Sequence, residues 1–399
     1  MKFKSLKSLT DYVSIFALCI SVFAVFFSIW TFTGKWPWLG QPYNSYILQA
    51  ETWKNGSLAL PGDIPYLELA IFEGRYFVSF PPFPSFLMFP FVLLGFTNCD
   101  GLIALVSALA GAVYAYKICE HFDVKKERAF LFALLLTIGS NWLFTALTAW
   151  VWFIAQNLAF TLSLMAIYYA LKKKPGLSLA FWACAVGCRP FQILYLPVLL
   201  YLIYDKDMSL TENIKSKWKS VIPMAVIAIS YMVLNFARFG NPFEFGHNYL
   251  PEFTRTQTGQ FSLTYMSTNI RNLFRFPKIS FSGKWEFQAA DGTNMFIISP
   301  IFISYIAYTI YAFVKKKADK KLIIAVLVTV IVHLLFITAH KTMGGAHFGN
   351  RYTNDVLPLL FVGLLTALPK KNKYEDINII LLLFGLVTNV IGSTLYFSM

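Results

Sequence analysis

Apolar runs recur along the whole of this chain, and short clusters of lysine punctuate them. A helix needs about 20 apolar residues to cross a bilayer core of roughly 30 Å. Runs of that kind lie near residues 12–32, 100–119, 129–147, 150–171, 176–188, 190–204, 221–238, 292–314, 322–340, 353–369 and 377–397. The cations gather at Lys2/Lys4/Lys7, Lys125/Lys126/Arg128, Lys172 to Lys174, Lys215/Lys217/Lys219, Lys315 to Lys317 with Lys320/Lys321, and Lys370/Lys371/Lys373. With the N-terminus inside, every one of these clusters falls on the cytoplasmic face, as the positive-inside rule requires. Only 14% of residues are charged and 57% are hydrophobic. A soluble chain carries roughly 25% charged residues, so this one cannot cover a water-facing surface. The formal charge of +14 therefore sets orientation and suits an anionic inner leaflet; it does not line a nucleic-acid groove. The expectation is an all-α polytopic protein of the plasma membrane: one transmembrane domain over residues 1–399, about 11 helices, and a cytoplasmic N-terminus.

The first run has a basic start and no small-residue cleavage site after it, so it reads as an uncleaved span. Cys19, Cys99, Cys119, Cys184 and Cys188 are scattered. Their spacing suits neither a zinc site nor a disulfide framework, and Cys184 and Cys188, one helical turn apart, read as small core residues. Residues 176–204 run from one basic cluster to another and must return to the same face, yet they are too few for two full spans. The economical solution is a short helical hairpin with Cys188-Arg189-Pro190 at its tip, where proline interrupts the helix.

The first extracytoplasmic loop, residues 33–99, carries the polar chemistry. Glu51, Asp63, Glu68 and Glu73 lie there among aromatics and prolines. Residues Tyr43 to Lys54 read as an amphipathic helix and 82–96 as a helix at the outer interface. Any one of these acids alone reads as a solvated loop charge. As a group in apolar surroundings they are candidates for a general base, because desolvation disfavours the ionised form. Glu68, between Leu67 and Leu69-Ala70-Ile71, is the first choice and Glu51 the second. Arg189 is the one charge in its apolar neighbourhood; at membrane depth its planar fork suits a phosphate, or it pairs structurally with Asp355 or Glu68. Arg351, Tyr352 and Asp355 open an apolar helix, where residues 351 and 355 could equally pair with each other. The second large outer loop, 239–291, holds Phe243 to Tyr249 and the basic Arg271, Arg275, Lys278 and Lys284. His340 and His347 lie near one another in sequence without acids at ligand spacing, so no dedicated metal site is expected. A divalent metal between a carboxylate and a phosphate stays compatible with the pattern.

The order of these features resembles the GT-C class of integral membrane glycosyltransferases, and within it the bacterial glycosyltransferase family 39-like proteins. The matching stretches are Gly74-Arg75-Tyr76-Phe77 with Pro81-Pro82, Gly187-Cys188-Arg189-Pro190, Phe236 to Gly246, and Gly349-Asn350-Arg351-Tyr352-Thr353-Asn354-Asp355-Val356-Leu357-Pro358. The resemblance covers nearly the whole chain. It implies inverting transfer of a sugar from a polyprenyl-phosphate donor to a hydroxyl of a glycan, lipid or protein acceptor on the extracytoplasmic face. Glu68 or Glu51 would be the base, Arg189 and Arg351 the donor-phosphate contacts, and Tyr352, Asp355, Arg75 and His347 further substrate contacts. Membrane lipid is the surrounding partner and nucleic acid is not one. Better-known members carry acids where this chain has Gln41-Pro42-Tyr43-Asn44, before Pro81-Pro82, and within Asn141 to Asn157. A transporter or flippase of a polar or lipid-linked substrate, or a divergent member without catalysis, is the alternative.

Overall fold

The computed structural model describes residues 2–279, 285–286, 292–315, 319–369 and 375–399. Lys284, Lys316, Lys317, Lys370, Lys371 and Lys373, counted above among the basic residues, lie outside them. In chain order the elements begin with α1 (Lys2–Thr33) and α2 (Ser45–Lys54), then the hairpin strands β1 (Leu69–Phe72) and β2 (Arg75–Val78). Helices α3 (Phe83–Leu93), α4 (Asp100–His121), α5 (Lys126–Leu136), α6 (Trp142–Ala146), α7 (Val151–Leu171), α8 (Pro175–Val186) and α9 (Leu196–Ile203) follow. Next come α10 (Leu210–Lys217), α11 (Ile222–Phe239), α12 (Pro251–Thr254) and α13 (Met266–Leu273), and then a second two-stranded hairpin, β3 (Lys278–Ile279) with β4 (Trp285–Glu286). The last helices are α14 (Met295–Ile298), α15 (Ile301–Lys315), α16 (Lys320–Thr338), α17 (Leu357–Ala367) and α18 (Glu375–Ser398).

Among the described residues, 6 helical stretches are long and apolar enough to cross a membrane: Asp11–Thr33, Asp100–His121, Val151–Leu171, Leu210–Phe239, Lys320–Thr338 and Asp376–Ser398. The other expected spans fall on shorter helices, and the breaks have local causes. The run 129–147 is interrupted after Leu136, where Thr137 Oγ1 bonds back to the Ala133 carbonyl and Ser140 Oγ to that of Leu136. Such back-bonding competes with the helical ladder. Prolines fix the starts of α8, α9 and α17, the last two entered through the 3-10 turns Pro190–Tyr195 and Arg351–Val356. The fold is that of an all-α polytopic membrane protein with two minor hairpins.

The chain divides into two compact units. One comprises Met1–Lys35, Ala108–Leu147 and Thr264–Met399, the other Trp36–Ser107 and Thr148–Leu263.

In the first unit the α5–α6 break is held by Asn141. Its amide oxygen accepts from Asn350 N (3.0 Å) and its Nδ2 donates to the Phe348 carbonyl (3.3 Å). Its backbone amide donates to Ser299 Oγ (3.0 Å), and its own carbonyl accepts from Asn354 Nδ2 (3.2 Å). Polar groups exposed by a helix break inside an apolar bundle must find protein partners, and this asparagine supplies them.

The second unit is built on α7 and α8, with α2 and α3 packed together. Ser85 Oγ of α3 donates to Gln49 Oε1 of α2 (2.7 Å) and to the Tyr46 carbonyl (3.0 Å). Burial extends around much of α2 rather than along one stripe. The short hairpin expected over residues 176–204 is present as α8, a 3-10 turn and α9, with Arg189 between them. Its two arms are tied by Trp182 Nε1 donating to the Gln192 carbonyl (2.7 Å), and Lys173 Nζ bonds the Leu202 and Tyr204 carbonyls (2.8 and 2.9 Å).

Candidate functional site

The segment Leu67 to Phe80, read from sequence as an irregular loop, is a β-hairpin. Leu69 pairs with Val78, Ala70 with Phe77, Ile71 with Tyr76 and Phe72 with Arg75. The two-residue turn is Glu73-Gly74, both with positive φ (50° and 72°), as a tight hairpin turn of the primed type demands. Aromatic and branched residues favour strands, and the -Glu-Gly- turn between two such runs was the available signal. Ala70 and Phe77 pack on Phe239 at the end of α11.

This register decides where the acids point. Leu67, Leu69 and Ala70 are buried while Glu68 is exposed. The apolar burial expected around the Glu68 carboxylate is therefore absent, because near-alternation along an extended segment turns it outward. Its Oε2 instead accepts from Trp152 Nε1 at 2.9 Å, at the start of α7. Ser79, on the strand exit, donates its hydroxyl to the Glu68 carbonyl (2.9 Å). The Ser79 carbonyl lies 3.2 Å from His247 Nδ1; a carbonyl can only accept, so Nδ1 carries the proton.

Burial holds the His247 imidazolium down to about 4, and the Arg189 guanidinium nearby adds to the shift. Arg189 also lies near Tyr46 and Cys188. Thus the Glu68 carbonyl, Ser79 and His247 are joined by hydrogen bonds inside the second unit, and the Arg189 charge acts on the histidine.

Further hydrogen bonds brace this group. Arg238, buried in α11, donates Nη1 to the Val78 carbonyl (3.1 Å) and Nη2 to Asn235 Oδ1 (2.8 Å). Glu244 accepts from Gly246 N (2.6 Å) and Asn248 Nδ2 (2.7 Å), which shapes the turn that presents His247. Phe83 N donates to the Gly187 carbonyl (3.0 Å), tying α3 to the turn that carries Arg189. Gly187 is required there, since a Cβ would stand 2.3 Å from the Tyr231 hydroxyl.

Glu51 is half-buried on α2, and Arg75 sits at the hairpin tip beside Glu73 (3.4 Å) and over the Phe77 ring. Arg351, Tyr352, Asp355 and His347 belong to the first unit. There Arg351 donates Nε and Nη2 to the Gly344 carbonyl (3.2 and 2.7 Å) and lies over the Tyr352 ring. His347 is fully buried with Nδ1 2.8 Å from the Gly345 carbonyl; burial, reinforced by Arg351, pushes it down to about 3. Asp355 is buried in the 3-10 turn Arg351–Val356 that leads into α17. Among the described residues no group of three or more His, Cys, Asp or Glu side chains could hold a metal ion.

Trp152, Ser79 and Arg238 were not singled out from the sequence as site residues. Arg238 stands in a stretch that carried the family resemblance, but nothing local to Trp152 announces its partner, which is 84 residues away.

No family model matches this sequence, and no curated protein matches it. Among solved structures, ArnT from Cupriavidus metallidurans bound to undecaprenyl phosphate is similar, with a TM-score of 0.54 and 14% identity. The match covers 90% of this chain and 62% of that one, so the chain spans less than two thirds of the neighbour's length. The fold is GT-C-like, as the resemblance implies.

Proposed function

We propose that this protein is a GT-C-type glycosyltransferase that moves a sugar from a polyprenyl-phosphate donor to an acceptor hydroxyl, with its active site on the extracytoplasmic face of the plasma membrane. The observation that supports the reading is the Glu68 carboxylate oriented by the Trp152 indole N–H, in a chain whose fold resembles one solved with undecaprenyl phosphate. Glu68 takes the proton of the acceptor hydroxyl as its oxygen bonds to the sugar C1 from the face opposite the phosphate. The C1–O bond to phosphate breaks, the phosphate leaves with the electron pair, and the configuration inverts. Arg189 stabilises the charge that gathers on the leaving group. Trp152 holds one carboxylate oxygen and fixes the direction of the other. Neutral His247 adds no competing positive charge beside Arg189.

The test uses detergent-purified protein, a panel of radiolabelled polyprenyl-phosphate sugars and a membrane extract as acceptor. Glu68→Gln is expected to lower kcat by about 10²–10⁴, the range of general-base catalysis, and Arg189→Ala to raise the donor KM. Full activity in both variants would overturn the assignment. Turnover in detergent, without a sealed membrane, separates transfer from the transporter reading; a folded protein that consumes no donor would favour transport.

A further inference from the structure

The stretch Leu210–Phe239 is 30 residues long, about 45 Å at 1.5 Å per residue, whereas a bilayer core takes up roughly 30 Å. About ten residues therefore stand beyond the hydrocarbon, and the polar end that does so is α10. A capping box fixes its start: Ser209 Oγ accepts from Glu212 N (3.3 Å) and Glu212 Oε2 from Ser209 N (2.8 Å). Leu210, Ile214 and Trp218, four residues apart, form one stripe and are 66%, 60% and 56% exposed. Past the 3-10 turn Trp218–Val221 the stripe continues with helical spacing through the exposed Ile222, Val226 and Ile229 of α11. Asn213 is buried and anchors the inner side of α10. Its Nδ2 donates to the carbonyls of Asp205, Met208 and Ser209 (2.9, 3.1 and 3.1 Å), and its Oδ1 accepts from Asp205 N (2.9 Å) and from Lys217 Nζ.

Lys217 follows Ile214 by three residues and Asn213 by four, so it borders the stripe on its inner edge. Two further cations from separate segments act at the same place: Lys173, in the turn before α8, and Lys206, after α9. Burial holds the Lys173 ammonium below its usual range; the Asp205 charge opposes this, and Lys217 and Lys206 add to it. Lys173 uses two of its three donors on the Leu202 and Tyr204 carbonyls. The start of α8 sits against the 3-10 turn, where a Cβ on Gly176 would stand 3.8 Å from Ser220 Cα. Like charges drawn together disfavour one another, and an anion among them reverses that.

We propose that α10, with Lys173 and Lys206, is a binding surface for an anionic phospholipid, its phosphate among Lys173, Lys206 and Lys217 and its acyl chains along Leu210, Ile214 and Trp218. The 12 residues of α8, about 18 Å of helix, separate this surface from Arg189, and it does not depend on the transferase reading. The stripe runs in line with the face that α11 turns to hydrocarbon, so the same bilayer covers it at the headgroup level. A tryptophan flanked by lysines at that depth is an interfacial anchor, and Lys219 lies over the Trp218 ring at 5.7 Å. An acidic protein would answer the lysines but would not account for a stripe continuous with the lipid face.

The experiment is native mass spectrometry of the full chain in detergent, titrated with dioleoylphosphatidylglycerol and with dioleoylphosphatidylcholine. The glycerol lipid is expected to bind more tightly. Lys206→Ala and Lys217→Ala are each expected to weaken it about fivefold, the effect of one lysine near an anionic surface. Lys125→Ala, an exposed lysine of the α4–α5 turn, is expected to leave it unchanged. Equal affinity for the two lipids, the same loss in Lys125→Ala as in Lys206→Ala, or full binding in both Lys206→Ala and Lys217→Ala would overturn the proposal. So would displacement of the lipid by an excess of inorganic phosphate, which would make this a site for a free anion. A dimer that Ile214→Glu dissociates would give the stripe to a second copy of the chain and overturn it too.

Discussion

Acidification should destabilise this protein through His247, and the size of the effect follows from its burial. An exposed histidine titrates near 6.5, whereas His247 in the fold is held down to about 4. Removal from water is the largest cause, and the Arg189 guanidinium adds to it; the Ser79 carbonyl and Glu244 oppose it. Between these two values the unfolded chain binds the proton more readily than the folded one, so stability rises with pH across that window. The contribution of neutral His247 is fully present above the unfolded value and is lost as pH falls toward 4. At pH 4.5 the loss relative to pH 7.5 is about 2.5 kcal/mol, which for a chain of this length is a midpoint shift of roughly 3 °C. His247→Asn keeps a donor for the Ser79 carbonyl and removes the titration. Thermal unfolding in detergent, followed by intrinsic fluorescence at a series of pH values, should show a shallower pH dependence for the variant by that amount. His347, also buried neutral, falls in the same direction in both proteins and cancels in the difference. Identical pH profiles for the two proteins would refute the argument that His247 is buried neutral beside Arg189.

Two further predictions concern the frame. Asn141→Ala leaves the buried Asn350 amide and Phe348 carbonyl without their acceptor and donor and should cost about 2–6 kcal/mol, from the usual penalty of about 1–3 kcal/mol for each buried polar group left unsatisfied. A chemical-denaturation midpoint equal to that of the wild type would refute it. Gly349→Ala places a Cβ 2.1 Å from Asn141 Nδ2 at a φ of +82°, so it should destabilise strongly alone and less in an Asn141→Ala background, where the backbone strain remains and the clash does not. A double-mutant cycle measures that coupling, and strictly additive effects would show that the two residues do not compete for the same space.

The bundle was legible in the sequence because lipid imposes a long, uniform signal. Each apolar run falls on helix, and the proline at residue 190 marks the break beside Arg189 as expected. The polar site was only partly legible, and the reason is the change of period. Read as a loop, Glu68 is surrounded by Leu67, Leu69, Ala70 and Ile71 and ought to be desolvated. Read as the approach to a strand, the same neighbours turn away from it and the carboxylate reaches Trp152 instead. The base proposed is the same residue in both readings, but its control differs: orientation by an indole N–H replaces burial as the device. Arg189 stands at the turn between α8 and α9. Tyr46 and His247, on which its charge acts, come from an early helix and a late loop. What the local sequence could not express is this set of long-range hydrogen bonds. They are the part of the site on which the proposed chemistry depends, since a carboxylate exposed to water acts as an effective base only when its direction is fixed by a group such as Trp152.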